Sequence, residues 1–348
     1  MTRSIRLGRL RIGGGAPVAV QTMTTADTRD VAAALAQVRA VHALGAEIVR
    51  LAVPDEKAAA ALGEIVAEAP VPLVADIHFD WRLALGALKA GVAGLRINPG
   101  NIGGPERTRR VAEAAGAAGA AIRVGANSGS LGKKLLAAHG GRPTAAALVE
   151  SALAQVRLLE ETGFRNIKVS LKSSNVLETV AAARLWARTS DYPQHLGVTE
   201  AGDILSGTVK SSVGLGILLA EGLGDTIRVS LTAPPEEEVR AAWEILRAAG
   251  RRSRGVEIIS CPTCGRCEGP LFELAAEVKK RLAHIDKPLK VAVMGCVVNG
   301  PGEAREADLG LALGRGDGLI FARGRPLGRA GYDQLAAALE KEALKLAE

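Results

Sequence analysis

Pro72-Leu73-Val74-Ala75-Asp76-Ile77-His78 is followed, one helix-length later, by Gly94-Leu95-Arg96-Ile97-Asn98. Both runs are short, apolar and branched, of strand length, and both end in polar or charged side chains. The same construction recurs as Pro17-Val18-Ala19-Val20, Glu47-Ile48-Val49-Arg50-Leu51-Ala52-Val53, Ile122-Arg123-Val124-Gly125-Ala126-Asn127 and Ile167-Lys168-Val169-Ser170-Leu171-Lys172. His195-Leu196-Gly197-Val198-Thr199-Glu200 and Ile227-Arg228-Val229-Ser230-Leu231-Thr232 complete a set of eight. Alanine-rich helical segments separate them; residues 30–44 carry Val31, Leu35, Val38 and Val41 at helical spacing. Eight βα units over residues 17–249 match the size of a closed, TIM-type (β/α)8 barrel. An open doubly wound sheet would want a G-x-G-x-x-G turn after an early strand, and none stands there.

The strand ends carry the chemistry. Asp76, His78, Arg96, Asn98, Arg123, Asn127, Lys168, Lys172, His195, Glu200, Arg228 and Ser230 lie within or just after strands, and a closed barrel gathers such positions around one pocket. A single strand arginine can equally pair with a neighbouring carboxylate. Basic residues repeated on successive strands are different, because burying like charges is expensive unless an anion completes the site. The expected ligand therefore carries more than one phosphate charge. Gly100, Gly103 and Gly104, and the run Gly125-Ala126-Asn127-Ser128-Gly129-Ser130, suit close approach to phosphate oxygens, although either group alone also reads as a turn.

All four cysteines fall late, in Ser260-Cys261-Pro262-Thr263-Cys264-Gly265-Arg266-Cys267 and in Met294-Gly295-Cys296-Val297-Val298-Asn299-Gly300-Pro301-Gly302-Glu303. Three thiols within seven positions, answered by a distant fourth, indicate one soft-ligand metal centre. Spacing favours an iron–sulfur cluster with Cys267 as fourth ligand, and structural zinc is its rival, although zinc sites more often pair two C-x-x-C units. Disulfides or unconnected core thiols fit less well. The polar run Gly250-Arg251-Arg252-Ser253-Arg254-Gly255 marks a boundary, giving a barrel over 1–250 and a small α/β domain over 251–348 that carries the metal centre. That second piece reads as a strand into the first cysteine loop, a helix near 271–284, a strand into the Cys296 loop, two short strands and a last helix over 333–346.

With 48% hydrophobic and 23% charged residues the composition is that of a globular protein. The longest apolar runs, such as residues 213–220, are too short to span a membrane, and the N-terminus lacks the apolar segment of a leader, so a cytoplasmic location is expected. The net charge of +7 comes from dispersed lysines and arginines without interleaved aromatics. That argues against nucleic acid and for a small polyanion or an acidic electron carrier.

Together these strings closely resemble the bacterial 4-hydroxy-3-methylbut-2-en-1-yl diphosphate synthases in their short, two-domain form. The resemblance runs through Gly45-Ala46-Glu47-Ile48-Val49-Arg50, Val74-Ala75-Asp76-Ile77-His78-Phe79-Asp80, Leu95-Arg96-Ile97-Asn98-Pro99-Gly100-Asn101-Ile102, Val169-Ser170-Leu171-Lys172-Ser173-Ser174-Asn175, His195-Leu196-Gly197-Val198-Thr199-Glu200-Ala201-Gly202 and both cysteine loops. It implies an iron–sulfur oxidoreductase that opens 2-C-methyl-D-erythritol 2,4-cyclodiphosphate and dehydrates it to (E)-4-hydroxy-3-methylbut-2-enyl diphosphate. It also implies a [4Fe–4S] cluster on Cys261, Cys264, Cys296 and Glu303, which replaces Cys267 as the fourth ligand and leaves that thiol without a role. A carboxylate is harder and more exchangeable than a thiolate, so one iron can take a substrate atom. On this reading Arg50, Arg96, Arg123, Lys168 and Arg228 clamp the diphosphate, Lys172 also binds substrate, Asn98, Asn127 and Ser230 are neutral donors, and His195 is a substrate contact that orients or supplies a proton. Glu200 handles a proton near the leaving hydroxyl, Asp76 and His78 orient or supply protons, and Asn299 meets the substrate. Flavodoxin or ferredoxin would donate electrons to a head-to-tail homodimer. Competing readings are a reductive enzyme for another phosphorylated compound, an electron carrier or zinc-stapled binding protein, and a Schiff-base barrel using Lys168. The last leaves the cysteine loops unexplained.

Overall fold

The computed structural model describes residues 1–296 and 306–347 and consists of two compact units, Met1–Arg252 and Ser253–Glu348. The seam lies inside the polar segment of residues 250–255.

In the first unit eight parallel strands alternate with helices: β3 (Ala19–Met23), β4 (Ile48–Ala52), β5 (Leu73–Asp76), β6 (Gly94–Arg96), β7 (Ala121–Asn127), β8 (Ile167–Lys172), β9 (His195–Leu196) and β10 (Thr226–Ile227). They pair in the order β8-β7-β6-β5-β4-β3-β10-β9. A parallel bridge between Val169 and Gln194 brings β8 back against β9, with the Val169 amide donating to Pro193 O at 2.9 Å. The result is the expected TIM-type barrel. Its helices are α1 (Val31–Ala43), α2 (Glu56–Glu68), α3 (Trp81–Lys89), α4 (Pro105–Ala117), α5 (Lys133–Ala138), α6 (Ala145–Glu160), α7 (Val176–Thr189), α8 (Ile204–Ala220) and α9 (Pro235–Ala248). Asp30, Asp55, Asp80, Asn175 and Asp203 each cap a helix by accepting a backbone N–H, which fixes where the chain turns after a strand. Val20, Val49, Leu51, Ala75, Leu95, Ile122, Val124 and Val169 face outward into the core under these helices, so their strand neighbours face the barrel axis.

Two features depart from the sequence reading. The short polar entry is a hairpin, β1 (Ile5–Leu7) and β2 (Leu10–Ile12), in register Ile5↔Ile12 and Leu7↔Leu10. Ile5, Leu7 and Ile12 are buried against Ala19, Ile48, Val74 and Ala121, which come from the N-terminal ends of barrel strands. The hairpin is a plug for the barrel floor. Arg6 and Arg11 alternate with Ile5, Leu7, Leu10 and Ile12 in the period of a half-buried strand, but each strand is only three residues long and only the open barrel end supplies something to bury it against. The strands β9 and β10 are also shorter than their apolar runs, so Arg228 and Ser230 leave the ladder just after it ends.

The second unit is a five-stranded sheet, β11 (Val256–Ser260), β12 (Leu289–Met294), β13 (Leu309–Leu313), β14 (Asp317–Ala322) and β15 (Arg325–Gly331), ordered as numbered. The first three strands run parallel and the last two antiparallel. Helices α10 (Leu271–Leu282) and α11 (Tyr332–Ala347) cover one face with Leu274, Val278, Leu335 and Leu339. Strand β15 is absent from the sequence reading, because Arg325-Pro326-Leu327-Gly328-Arg329 has turn composition. As an edge strand it is exposed throughout that run, and arginine with proline there blocks further pairing.

Replacing the fully buried Ile12 of the plug by Ala should lower barrel stability by about 2–5 kcal/mol in chemical denaturation. A loss below about 0.5 kcal/mol would mean that the hairpin is ornamental.

Candidate active site

Alternation along the strands turns an unusual set of side chains toward the barrel axis. Register places Arg96 beside Arg123 and Arg123 beside Lys168 on three adjacent strands. Lys168, Ser170 and Lys172 follow one another up the inner face of β8, all buried. Gly197 makes room for the last of them: a β-carbon there would stand 2.6 Å from Lys172 Nζ. Gly125 serves similarly, since a β-carbon would stand 2.0 Å from Ser170 O.

Three carboxylates answer these cations among the described residues: Asp76 and Glu238 by direct contact, and Asp225, buried just before β10, through its charge on Lys168. Asp76, 3% exposed, accepts from Arg96 Nη1 at 3.3 Å and from His78 Nε2 at 3.2 Å, with Arg50 Nε at 3.9 Å. Burial pushes its pKa up, but the His78 hydrogen bond and the Arg50 and Arg96 charges outweigh that and hold it well below the usual range. His78 Nδ1 faces Arg96 Nη1 at 3.2 Å and, because a guanidinium can only donate, must accept. The imidazole proton is therefore on Nε2, toward Asp76. The second carboxylate is Glu238 from α9. It accepts from Arg228 Nε and Nη2, both at 3.2 Å, from Thr22 Oγ1 at 2.8 Å and from Leu231 N at 3.1 Å.

The remaining cations have weak or neutral partners. Arg50 rests its Nε and Nη2 on Met23 Sδ at 3.0 and 2.9 Å, and Arg228 Nη1 lies 3.8 Å from the same sulfur. A thioether is a poor acceptor. Arg123 donates to Ser170 Oγ at 3.2 Å and Lys168 to Gln21 Oε1 at 3.4 Å. Burial, ahead of the neighbouring charges, lowers Arg50 to about 10 and Lys168 to about 7, and pushes Arg123 and Lys172 well down. His195, bonded through Nδ1 to Thr226 Oγ1 at 2.8 Å, is likewise pushed well down by burial and then by Lys172 and Arg123. It is a neutral imidazole.

Arg50, Arg96, Arg123, Lys168, Lys172, His195, Arg228, Asp76 and His78 thus come together in one barrel. At the rim, Asn127 ends β7 opposite Lys172, and Ser230 follows β10 half-buried. Asn98 turns its Oδ1 to the Gly100 amide at 3.1 Å, closing the loop after β6. Glu200 is exposed with φ at +52°, a strained value for a non-glycine residue. Its Oε1 would lie 4.0 Å from a β-carbon on Gly129, so it faces the Ser128–Ser130 turn. The sequence reading missed Gln21, Met23 and Glu238. Glu238 stands in Pro235-Glu236-Glu237-Glu238, where nothing distinguishes it from its exposed-type neighbours.

In the second unit β11 and β12 pair in parallel with Ser260 opposite Val293. The first cysteine loop and the Gly295-Cys296 turn therefore leave the same end of adjacent strands. The Gly295 amide donates to Cys261 Sγ at 3.3 Å. A β-carbon on Gly295 would stand 2.8 Å from Cys267 Sγ and 3.5 Å from Cys261 Sγ. Cys267 donates to Gly269 O at 3.4 Å, Cys296 is buried and Cys264 exposed, and no disulfide links them. Asn299 and Glu303 lie outside the described residues. Among the described residues no three His, Cys, Asp or Glu side chains are gathered around one metal ion. What fits an iron–sulfur group is the donor chemistry: thiols on two loops that leave the same end of adjacent strands, a backbone N–H aimed at the Cys261 sulfur, and a glycine whose missing side chain leaves the Cys261 and Cys267 sulfurs room.

Known proteins agree with this layout. Residues 2–243 match the GcpE TIM-barrel domain and residues 257–345 the GcpE protein C-terminal domain. The chain is 57% identical over 346 residues to the 4-hydroxy-3-methylbut-2-en-1-yl diphosphate synthase (flavodoxin) of Lawsonia intracellularis, covering 99% of this chain and 96% of that one. It is 56% identical over 345 residues to the enzyme of that name from Geobacter sulfurreducens, covering 99% and 98%. Against the Geobacillus kaustophilus enzyme of the same name the figures are 52% over 347 residues, covering 100% and 92%. Among solved structures, dihydropteroate synthase from Yersinia pestis shares the fold alone, with 13% identity and a TM-score of 0.50 over 72% of this chain and 100% of that one. With both family domains in order along the chain and relatives more than half identical over nearly its whole length, the protein belongs to the GcpE family.

Proposed function

We propose that this chain converts 2-C-methyl-D-erythritol 2,4-cyclodiphosphate to (E)-4-hydroxy-3-methylbut-2-enyl diphosphate, taking electrons from flavodoxin. One observation carries the reading: a barrel that gathers Arg50, Arg96, Arg123, Lys168, Lys172 and Arg228, six cations, against three carboxylates, Asp76 and Glu238 in direct contact and Asp225 acting on Lys168 by its charge. Such a site is completed by a diphosphate, and the relatives are named as diphosphate synthases that use flavodoxin. Opening the ring consumes two electrons and one proton, expels one water and leaves the product one negative charge richer than the substrate. The same cations therefore stabilise the charge that develops as the ring oxygen leaves carbon.

Within the barrel the guanidinium groups hold phosphate oxygens, and neutral His195, Asn127 and Ser230 offer hydrogen bonds that leave the charge balance unchanged. Asp76 fixes Arg96 and His78, so the His78 proton is committed and His78 serves orientation. Glu200, exposed at the rim, is the group placed to pass a proton toward the leaving hydroxyl. A [4Fe–4S] cluster held by Cys261, Cys264, Cys296 and Glu303 would supply single electrons and a Lewis-acidic iron. Asn299 joins the substrate in this scheme, and the chain works as a head-to-tail homodimer. No helix among the described residues is long and apolar enough to cross a membrane.

Anaerobically purified protein should contain about four irons and four sulfides per chain and turn over the cyclic diphosphate with reduced flavodoxin. One zinc and no sulfide would defeat the proposal. Glu303→Ala should reduce turnover by about a hundredfold or more, whereas Cys267→Ala should leave most of it; the opposite ranking would make Cys267 the fourth ligand.

The depressed lysine predicts a pH dependence. Lys168 titrates near 7 in the fold against 10.5 in the unfolded chain, so the unfolded chain binds the extra proton between those values. Stability of the ligand-free barrel should therefore rise with pH across that window. Affinity for inorganic pyrophosphate should run the other way, full below about pH 7 and falling up to about tenfold per pH unit above it. Calorimetric titrations of wild type and Lys168→Met check this, since the variant should lose that slope.

A further inference from the structure

Ala19, Gln21 and Met23 share the inner face of β3. Ala19 meets the hairpin plug and Met23 meets Arg50 and Arg228, which leaves Gln21 between the apolar floor and the cationic wall. Gln21 is 1% exposed, Lys168 2% and His195 1%. Lys168 Nζ donates to Gln21 Oε1 at 3.4 Å. An ammonium has no acceptor, so this bond decides which way the amide faces: oxygen to Lys168, nitrogen away from it. That nitrogen, Nε2, has no hydrogen-bond partner among the described residues, and neither do Arg123 Nε and His195 Nε2. Leaving one buried donor unpaired costs about 1–3 kcal/mol. Two of these three atoms can only donate, and His195 also feels the charges of Lys172, Arg123, Lys168 and Arg50. The group that satisfies them must accept hydrogen bonds and tolerate a surplus of positive charge.

We propose that Gln21 is a substrate-binding residue whose Nε2 donates to an oxygen of the more deeply seated phosphate, and that Lys168 is the positioning residue that keeps its amide from flipping. The inference rests on the anion-binding reading of the barrel and adds to it a neutral ligand at the bottom of the site. A neutral donor there distinguishes a phosphate oxygen by direction, where the arginines above respond chiefly to charge. Lys168 then acts in two ways, by its charge and by holding Gln21.

The test is titration calorimetry of inorganic pyrophosphate into the full-length, metal-free chain. Gln21→Glu keeps the volume but pairs a carboxylate with Lys168 and turns an oxygen toward the ligand. Gln21→Met removes the donor. Both should bind pyrophosphate roughly ten- to a hundredfold more weakly, and Lys168→Arg, which preserves the donor to Oε1, should retain more affinity than Lys168→Met. In wild type, the side-chain amide 15N–1H signals of Gln21 should shift on adding pyrophosphate, a readout that survives if a variant fails to fold. Wild-type affinity in both folded Gln21 variants, or unmoved Gln21 signals at saturation, overturns the assignment and leaves the cationic pocket standing. If wild type binds no pyrophosphate at all, the anion-site reading itself fails and this inference with it.

Discussion

Buried positive charge without matching negative charge is the constraint on which the barrel is built. Arg123, Lys168 and Lys172 are nearly inaccessible to water, and Asp76 and Glu238 are already engaged by Arg96, Arg50, His78 and Arg228. Moving an unpaired cation out of water costs several kcal/mol even after relaxation. Burial therefore holds these groups at lowered pKa, and an anion beside them would offset part of that cost. Stability is given up locally so that ligand binding has a large electrostatic return.

That arrangement displaces what a barrel interior ordinarily contains. Layers of branched apolar side chains usually fill it. Here one such layer remains, Ala19, Ile48, Val74 and Ala121, and the hairpin thickens it with Ile5, Leu7 and Ile12. Gln21, Lys168 and His195 lie above it, with Arg123 beside Lys168 in register. The plug compensates for apolar packing that the polar layers cannot provide, and it closes the floor against water that would otherwise screen the charges. Gly125 and Gly197 do the corresponding work on the wall, because a methyl group at either position would occupy space needed by Ser170 or Lys172.

The second unit solves a different problem, the gathering of soft ligands that lie far apart in the chain. Parallel pairing of β11 with β12 makes both strands end together, so two loops separated by a helix open at one edge. The Gly295 amide then reaches the Cys261 sulfur.

The order of eight βα units, the helix periods and the gathering of all four cysteines into two loops were determined by sequence alone. Each depends on residues close in the chain or on a period that repeats along it. The basic residues of the barrel were legible in the same way, because each lies in or just after one of these repeating apolar runs, and the family resemblance likewise rests on ordered strings. What the sequence could not convey was partnership. Glu238 is one glutamate among four on α9, and only the packing of that helix back against β10 and β3 brings it to Arg228 and Thr22. Gln21 and Met23 look like the tail of a strand until β3 lies between β4 and β10. The hairpin strands are only three residues long and β15 has few apolar residues, and each exists because a barrel floor or a sheet edge offers it a place. Local periodicity determined the elements; long-range packing decided which buried charge faces which acceptor, because electrostatic and hydrogen-bond energies depend on distances that no single segment contains.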